Sequence, residues 1–169
     1  MSVPRRIFLV GMMGVGKTTT GRLLADRLGV EYLDSDEQVE RNTGRTVPEI
    51  METDGVPAFR AEERRALCEA ISADHDVVVS VAGGAVLDPD NRVALRDHGT
   101  VVWLRAQVET KAERVGTGEG RPLLAGDPAA TLARLYPERR PFYEELADMV
   151  VDVDEATPEQ VVEKIVAAL

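Results

Sequence analysis

Apolar residues in this chain form short unbroken runs, separated by longer stretches in which they recur every three or four positions. That alternation is the signature of buried strands joined by amphipathic helices. Ile7-Phe8-Leu9-Val10 has no polar interruption, as a parallel strand covered on both faces requires. From Lys17 to Leu28 the apolar positions 23, 24 and 28 predict a helix, and Gly29 ends it. A second strand is expected over Val30 to Leu33, and Ser35-Asp36-Glu37-Gln38 has the spacing of a capping box, which predicts that a helix starts there. Val56 to Ala73 reads as a longer charged helix with Pro57 in its first turn, and Val77 to Val81 as a strand running into Ala82-Gly83-Gly84. Helix over Asn91 to His98, strand over Thr100 to Leu104 and helix over Gln107 to Val115 continue the alternation. Glycine and proline then break the register between residues 116 and 128, a loop of a length that usually carries function or mobility. Helix resumes over Pro141 to Ala147, a last strand over Met149 to Val153, and Thr157-Pro158-Glu159-Gln160 caps a closing helix. One α/β domain spanning residues 1–169, built on a mainly parallel sheet, follows from this order.

Composition narrows the ligands more than the fold. The 169 residues carry 30 Asp and Glu against 20 Lys and Arg, a net charge of −10, which argues against nucleic acid or an anionic membrane bound by bulk electrostatics. Any anion must be held by a local arrangement. Lysine occurs only at positions 17, 111 and 164, so the place of each is informative. The single cysteine, Cys68, excludes an intrachain disulfide and a cysteine-built zinc site. Arg5-Arg6 before an apolar run has the look of a twin-arginine signal, but that apolar region would have to contain Gly11, Gly14, Gly16 and Lys17. A buried strand running into a glycine turn accounts for the pattern better, and the cytoplasm is the expected location.

Gly11-Met12-Met13-Gly14-Val15-Gly16-Lys17-Thr18 fits G-x-x-x-x-G-K-[ST] and lies after a strand and at the start of a helix, where a phosphate loop must lie. Its glycines let backbone N–H groups turn inward around a phosphate, and the helix N-terminus adds positive potential. Lys17 is placed for the β and γ phosphates and the Thr18 hydroxyl for Mg²⁺. Asp34 and Asp36 leave the C-terminal end of the second strand, the edge at which open α/β sheets bind ligands. On extended chain two such carboxylates point to one side, so that one can hold the water shell of Mg²⁺ while the other takes a proton from an acceptor hydroxyl. Capping of the next helix by Ser35 and Asp36 is the structural alternative.

Six blocks in this order resemble the bacterial shikimate kinases: the phosphate loop, Asp34-Ser35-Asp36, Phe59-Arg60-Ala61-Glu62-Glu63, Gly83-Gly84-Ala85-Val86, Arg121-Pro122-Leu123-Leu124 and Glu138-Arg139-Arg140-Pro141-Phe142-Tyr143. The resemblance runs from Ile7 to the closing helix. It implies a three-layer P-loop kinase fold with a central, mainly parallel five-stranded sheet, a substrate-binding segment over residues 34–63 and a lid over 116–128. It implies phosphorylation of the 3-hydroxyl of shikimate by ATP, on the route to chorismate and the aromatic amino acids. Lys17, Asp36 and Arg121 would be catalytic, with Asp36 as base and Arg121 on the lid. Asp36, Arg60, Gly83 and Arg139 would bind shikimate, the two arginines on its carboxylate with Glu63 steadying Arg60. Gly14, Val15, Gly16, Lys17, Thr18, Thr19, Arg114 and Arg121 would bind ATP, and Thr18 and Asp34, the latter through water, would hold one Mg²⁺. The expected partners are these small molecules alone, without nucleic acid or membrane, and the chain is expected to act as a monomer.

Two departures stand out. The family usually has three consecutive glycines where this chain has Ala82-Gly83-Gly84, so position 82 is expected at negative φ. Some relatives also place an arginine near the last helix against adenine, and Asp154-Glu155-Ala156-Thr157 has none. Rival readings are another small-molecule P-loop kinase, such as one acting on gluconate, and a nucleotide-binding regulatory switch. The switch lacks support, since neither Asn42 nor Asn91 opens an Asn-Lys-x-Asp guanine motif. Trp103 is expected in the core, Arg140 in a surface ion pair, and His75 and His98 are given no chemistry.

Overall fold

The computed structural model describes residues 4–107 and 127–169. Among them five strands form one sheet, all parallel, in the order β2-β3-β1-β4-β5: β1 (Arg6–Val10), β2 (Glu31–Asp34), β3 (Val77–Ser80), β4 (Thr100–Arg105) and β5 (Met149–Asp152). Every pairing is parallel, so the mainly parallel expectation is exceeded. Parallel pairing needs crossovers, and helices supply them: α1 (Lys17–Leu28) after β1, then α2 (Ser35–Thr43), α3 (Val47–Asp54) and α4 (Val56–Ile71) between β2 and β3. α5 (Pro89–His98) leads to β4, α6 (Pro128–Leu146) to β5, and α7 (Pro158–Ala168) closes the chain. The central strand is β1, with Leu9 paired to Ser80 on one side and to Val102 on the other. Ile7 to Val10, Val77 to Val79 and Val101 to Leu104 are buried, which is why these strands lack polar alternation. Since all strands run one way, the turns after β1, β2 and β3 meet at a single edge.

Several boundaries differ from the sequence reading. α3 was not expected, although Thr46 and Glu49 form a complete capping box: Thr46 Oγ1 accepts from Glu49 N at 3.3 Å and Glu49 Oε2 from Thr46 N at 3.0 Å. α5 starts at Pro89, capped by the Asp88 side chain on Asp90 N. The largest difference is α6, expected only from Pro141 and in fact beginning at Pro128, with Pro137 and Pro141 both inside it. Asp127 caps it through Ala130 N at 3.2 Å. Each internal proline removes one helical N–H, but the buried positions Leu132, Leu135, Arg139, Tyr143 and Leu146 recur every three or four residues and bind the helix to the sheet. Burial of that stripe outweighs the local penalty, and one of its members is an arginine. The expected helix over 107–115 and most of the expected lid lie outside the described residues. Gln107 itself is not helical, and residue 128 belongs to α6 rather than the loop.

Candidate active site

The turn after β1 carries the site. Gly11, Gly14 and Gly16 have φ of 145°, 84° and 89°, a region that glycine alone adopts without strain. A Cβ on Gly11 would also lie 2.5 Å from the Leu104 carbonyl oxygen. Gly16 precedes α1 without a side-chain cap, and no acid occupies the helix's first turn. The N-terminus is thus left for an external anion to complete. Lys17 Nζ donates to the carbonyls of Gly11 at 2.8 Å and Met12 at 3.0 Å, which folds the lysine back over the loop. A cavity of about 500 Å³ opens here, lined by Gly14 through Thr20, Asp34, Asp36, Ser80 through Gly83, and Val153, Ala156, Pro158 and Val161. The predicted loop residues Gly14, Val15, Gly16, Lys17, Thr18 and Thr19 therefore share one cavity with Asp34, Asp36 and Gly83. Its apolar lining residues Val153, Ala156, Pro158 and Val161 were not found from sequence. The only signal there was the Thr157-Pro158 capping box, which marks the start of α7 but not the face it presents.

Asp34 corrects the expected capping. It is the last residue of β2 and also the N-cap of α2, with Oδ1 accepting from Asp36 N at 2.9 Å and Glu37 N at 3.2 Å. Ser35 is not the cap; its Oγ accepts from Ala82 N at 2.9 Å and ties the end of β2 to the turn after β3. Asp36 accordingly lies in the first turn of α2 rather than on extended chain, and the two carboxylates do not share a strand face. The remaining oxygen of Asp34, Oδ2, accepts from the Thr18 hydroxyl at 3.3 Å and lies 3.2 Å from the Tyr32 hydroxyl. Tyr32 also donates to Ser80 Oγ at 2.9 Å, and burial holds its phenol protonated, with the pKa pushed up to about 12. Ser80 in turn donates to the Lys17 carbonyl at 3.0 Å, joining β3 to the phosphate loop.

A second cluster lies beside the Gly83-Gly84 turn. Arg139 on α6 is 1% exposed, and its Nε and Nη1 have no hydrogen-bond partner among the described residues. A Cβ on Gly83 would come within 3.2 Å of Arg139 Nη1, and one on Gly84 within 2.4 Å of Arg60 Nη2. A Cβ at 84 would thus displace the Arg60 guanidinium, whereas one at 83 would crowd Arg139 by only a few tenths of an ångström; 84 itself has an ordinary φ of −90°. Ala82 is not at positive φ, as expected from its Cβ. Arg60 Nη1 donates to both carboxylate oxygens of Glu63 at 2.9 Å. Glu63 is 1% exposed, and burial pushes its carboxyl up to about 7, against the pull of Arg60 and with Asp36 adding to the rise. An unpaired buried cation next to a paired one suits a ligand carboxylate, which would accept several N–H bonds at once.

The other assignments fall as follows. Arg114 and Arg121 lie outside the described residues. Arg140 pairs with Glu144 at 2.7 Å on the surface, and Trp103 is buried. His75 does have carboxylate neighbours, Glu31 and Asp74, but they form an exposed cluster at the start of β2 and β3, the edge away from the cavity.

A phosphate loop on the central strand of a parallel sheet, with two arginines meeting at the turn beside it, is the arrangement of a P-loop phosphotransferase. The sequence profile of the family described as shikimate kinase matches residues 13–169. The shikimate kinase of Thermobifida fusca is 47% identical over 95% of this chain and 92% of its own, and that of Pseudomonas syringae pv. syringae 45% identical over 98% and 96%. The solved structure of shikimate kinase from Acinetobacter baumannii in complex with shikimate superposes with a TM-score of 0.93 at 38% identity, covering 98% of this chain and 92% of that one. The chain belongs to the shikimate kinase family.

Proposed function

We propose that this chain transfers the γ-phosphoryl group of ATP to the 3-hydroxyl of shikimate, giving shikimate 3-phosphate and ADP on the route to chorismate. The observation that carries the acceptor assignment is Arg139: a buried guanidinium with two unpartnered N–H-bearing atoms beside Arg60 and the Gly83-Gly84 turn. A hydroxylated ligand anchored there by its carboxylate extends toward Asp36 and the phosphate loop. Asp36, on the cavity wall, accepts the hydroxyl proton while the oxygen bonds to the γ phosphorus and the bond to the ADP oxygen breaks. Lys17 leaves its loop carbonyls for the β and γ phosphates, and the α1 N-terminus stabilises their charge. Val153, Ala156, Pro158 and Val161 offer an apolar wall for the base, where the family's further arginine is missing.

Thr18 and Asp34 fit Mg²⁺, because they present a hydroxyl and a carboxylate 3.3 Å apart, hard oxygens of the kind that ion takes alongside waters and phosphates. Bound with ATP, it would neutralise charge between the β and γ phosphates. Arg114 and Arg121 belong to the same reading through the family pattern. Single-domain organisation over residues 1–169 and action as a monomer also belong to it. A lone, exposed Cys68 suits the reducing cytoplasm, and among the described residues no helix is long and apolar enough to cross a membrane.

The test is a coupled ADP-release assay with ATP, Mg²⁺ and shikimate, run beside gluconate and nucleoside monophosphates. Turnover that depends on shikimate supports the reading; turnover only with another acceptor, or none, overturns it.

A further inference from the structure

Tyr143 is fully buried on α6, one turn beyond Arg139, and nothing in the chemistry above uses it. Its ring stacks on Trp103 at 5.7 Å between centroids and 30° between planes. A phenol held in a core needs a partner for its hydroxyl, and this one has a specific choice. It donates to the Gly83 carbonyl at 2.7 Å, across sixty residues of sequence, lies 3.7 Å from Met12 Sδ in the phosphate loop, and its oxygen also faces the Arg139 guanidinium. Burial raises the phenol pKa well above its ordinary value, so the proton stays on the oxygen and the donation is permanent at physiological pH.

The Gly83 carbonyl belongs to the peptide joining Gly83 to Gly84, the turn against which both guanidinia are packed. Glycine pairs have wide backbone freedom, and a turn built from them is fixed only by what bonds to it. Tyr143 makes that bond from the helix that also carries Arg139. The hydroxyl therefore sets the distance between Arg139 and the turn, and through Gly84 the place of Arg60.

We infer that Tyr143 is a positioning residue for the acceptor's carboxylate, acting through the Gly83 carbonyl and its own contact with Arg139 to hold Arg139 and Arg60 convergent. The inference rests on the reading of the arginine pair as a carboxylate site. Tyr143→Phe removes one oxygen from a packed ring and leaves the Trp103 stack in place. The carboxylate is remote from the reacting hydroxyl, so its loss is one of uniform binding. The expected result is a shikimate KM raised about ten-fold, equivalent to about 1.4 kcal/mol, with kcat and the KM for ATP each within about two-fold.

A structural role alone would instead lower Tm and the active fraction, and so kcat, at unchanged KM for shikimate. Dissociation constants for shikimate, read from Trp103 fluorescence without ATP, should rise in parallel with KM. A double-mutant cycle with Arg139→Lys tests the route: if Tyr143 acts on the acceptor by placing the guanidinium, adding Tyr143→Phe to Arg139→Lys raises KM by less than about two-fold. Unchanged KM in Tyr143→Phe, full additivity in the cycle, or a variant that does not fold overturns the inference. Absence of shikimate turnover in the wild type would instead overturn the reading beneath it.

Discussion

Replacing Glu63 by Gln should make the protein more stable at alkaline pH and leave it nearly unchanged at acid pH. The Glu63 carboxyl is buried on α4 against Arg60, and burial carries its pKa from an ordinary 4.5 to about 7. Between those values the folded chain keeps a proton that the unfolded chain has released. Stability from this group is therefore complete below about pH 4.5 and is lost as the pH rises through 7. At about 1.4 kcal/mol for each tenfold change in proton affinity, the loss reaches about 3 kcal/mol. Gln cannot ionise and keeps the amide oxygen for the Arg60 guanidinium, so it escapes that loss. For a chain of this length about 3 kcal/mol corresponds to roughly 10 °C in Tm. The assay is differential scanning calorimetry of both proteins from about pH 5 to about pH 9, the range over which the group titrates. Taking the difference between variant and wild type cancels exposed groups common to both, such as His75 with its partner Glu31. A Tm difference that stays flat across this range would refute the claim that Glu63 is desolvated in the folded state. A difference that grows toward acid would mean that Arg60 dominates, and the order of the two causes would be reversed.

Three more outcomes can be checked on the same preparations. Asp36→Asn should lower shikimate-dependent ADP release by about 10²–10⁴-fold, as loss of a general base does, while ATP affinity by equilibrium titration stays within about three-fold, since the loop contacts of Lys17 are untouched. Arg139→Met should stabilise the ligand-free protein by about 1–3 kcal/mol of relieved desolvation, a rise of roughly 2–12 °C in Tm, and abolish detectable shikimate binding by Trp103 fluorescence; a less stable variant would show that the guanidinium is satisfied without ligand. Gly84→Ala should displace Arg60, whose Nη2 lies 2.4 Å from the added Cβ position, and raise the shikimate KM about ten-fold in steady-state kinetics while leaving the KM for ATP unchanged.

Much of the nucleotide half of the site was legible because it is local. A strand, a glycine turn and a helix start within a dozen residues suffice to define a phosphate loop, and the positive φ of Gly11, Gly14 and Gly16 is the reason those positions are glycine. The acceptor half was nameable only through the family pattern. Taken alone, Arg60 beside Glu63 on one helix face is indistinguishable from a surface pair, and Arg139 followed by Arg140 gives no sign that one is buried and the other paired in solvent. The stripe of Leu132, Leu135, Tyr143 and Leu146 marks position 139 as inward-facing only once the helix is known to run through Pro137 and Pro141, two residues that disfavour a helix interior.

The sequence by itself determined the succession of strands, the parallel sheet and the phosphate loop, because hydrophobic period and backbone freedom act over a few residues. Only the tertiary structure decided that Asp34 rather than Ser35 caps α2, that Asp36 leaves the strand for a helix, and that Arg60, Glu63, Gly83 and Arg139 meet at one turn. Those outcomes depend on which strands neighbour which, and on desolvation, a property of the packed interior that no single segment of chain possesses.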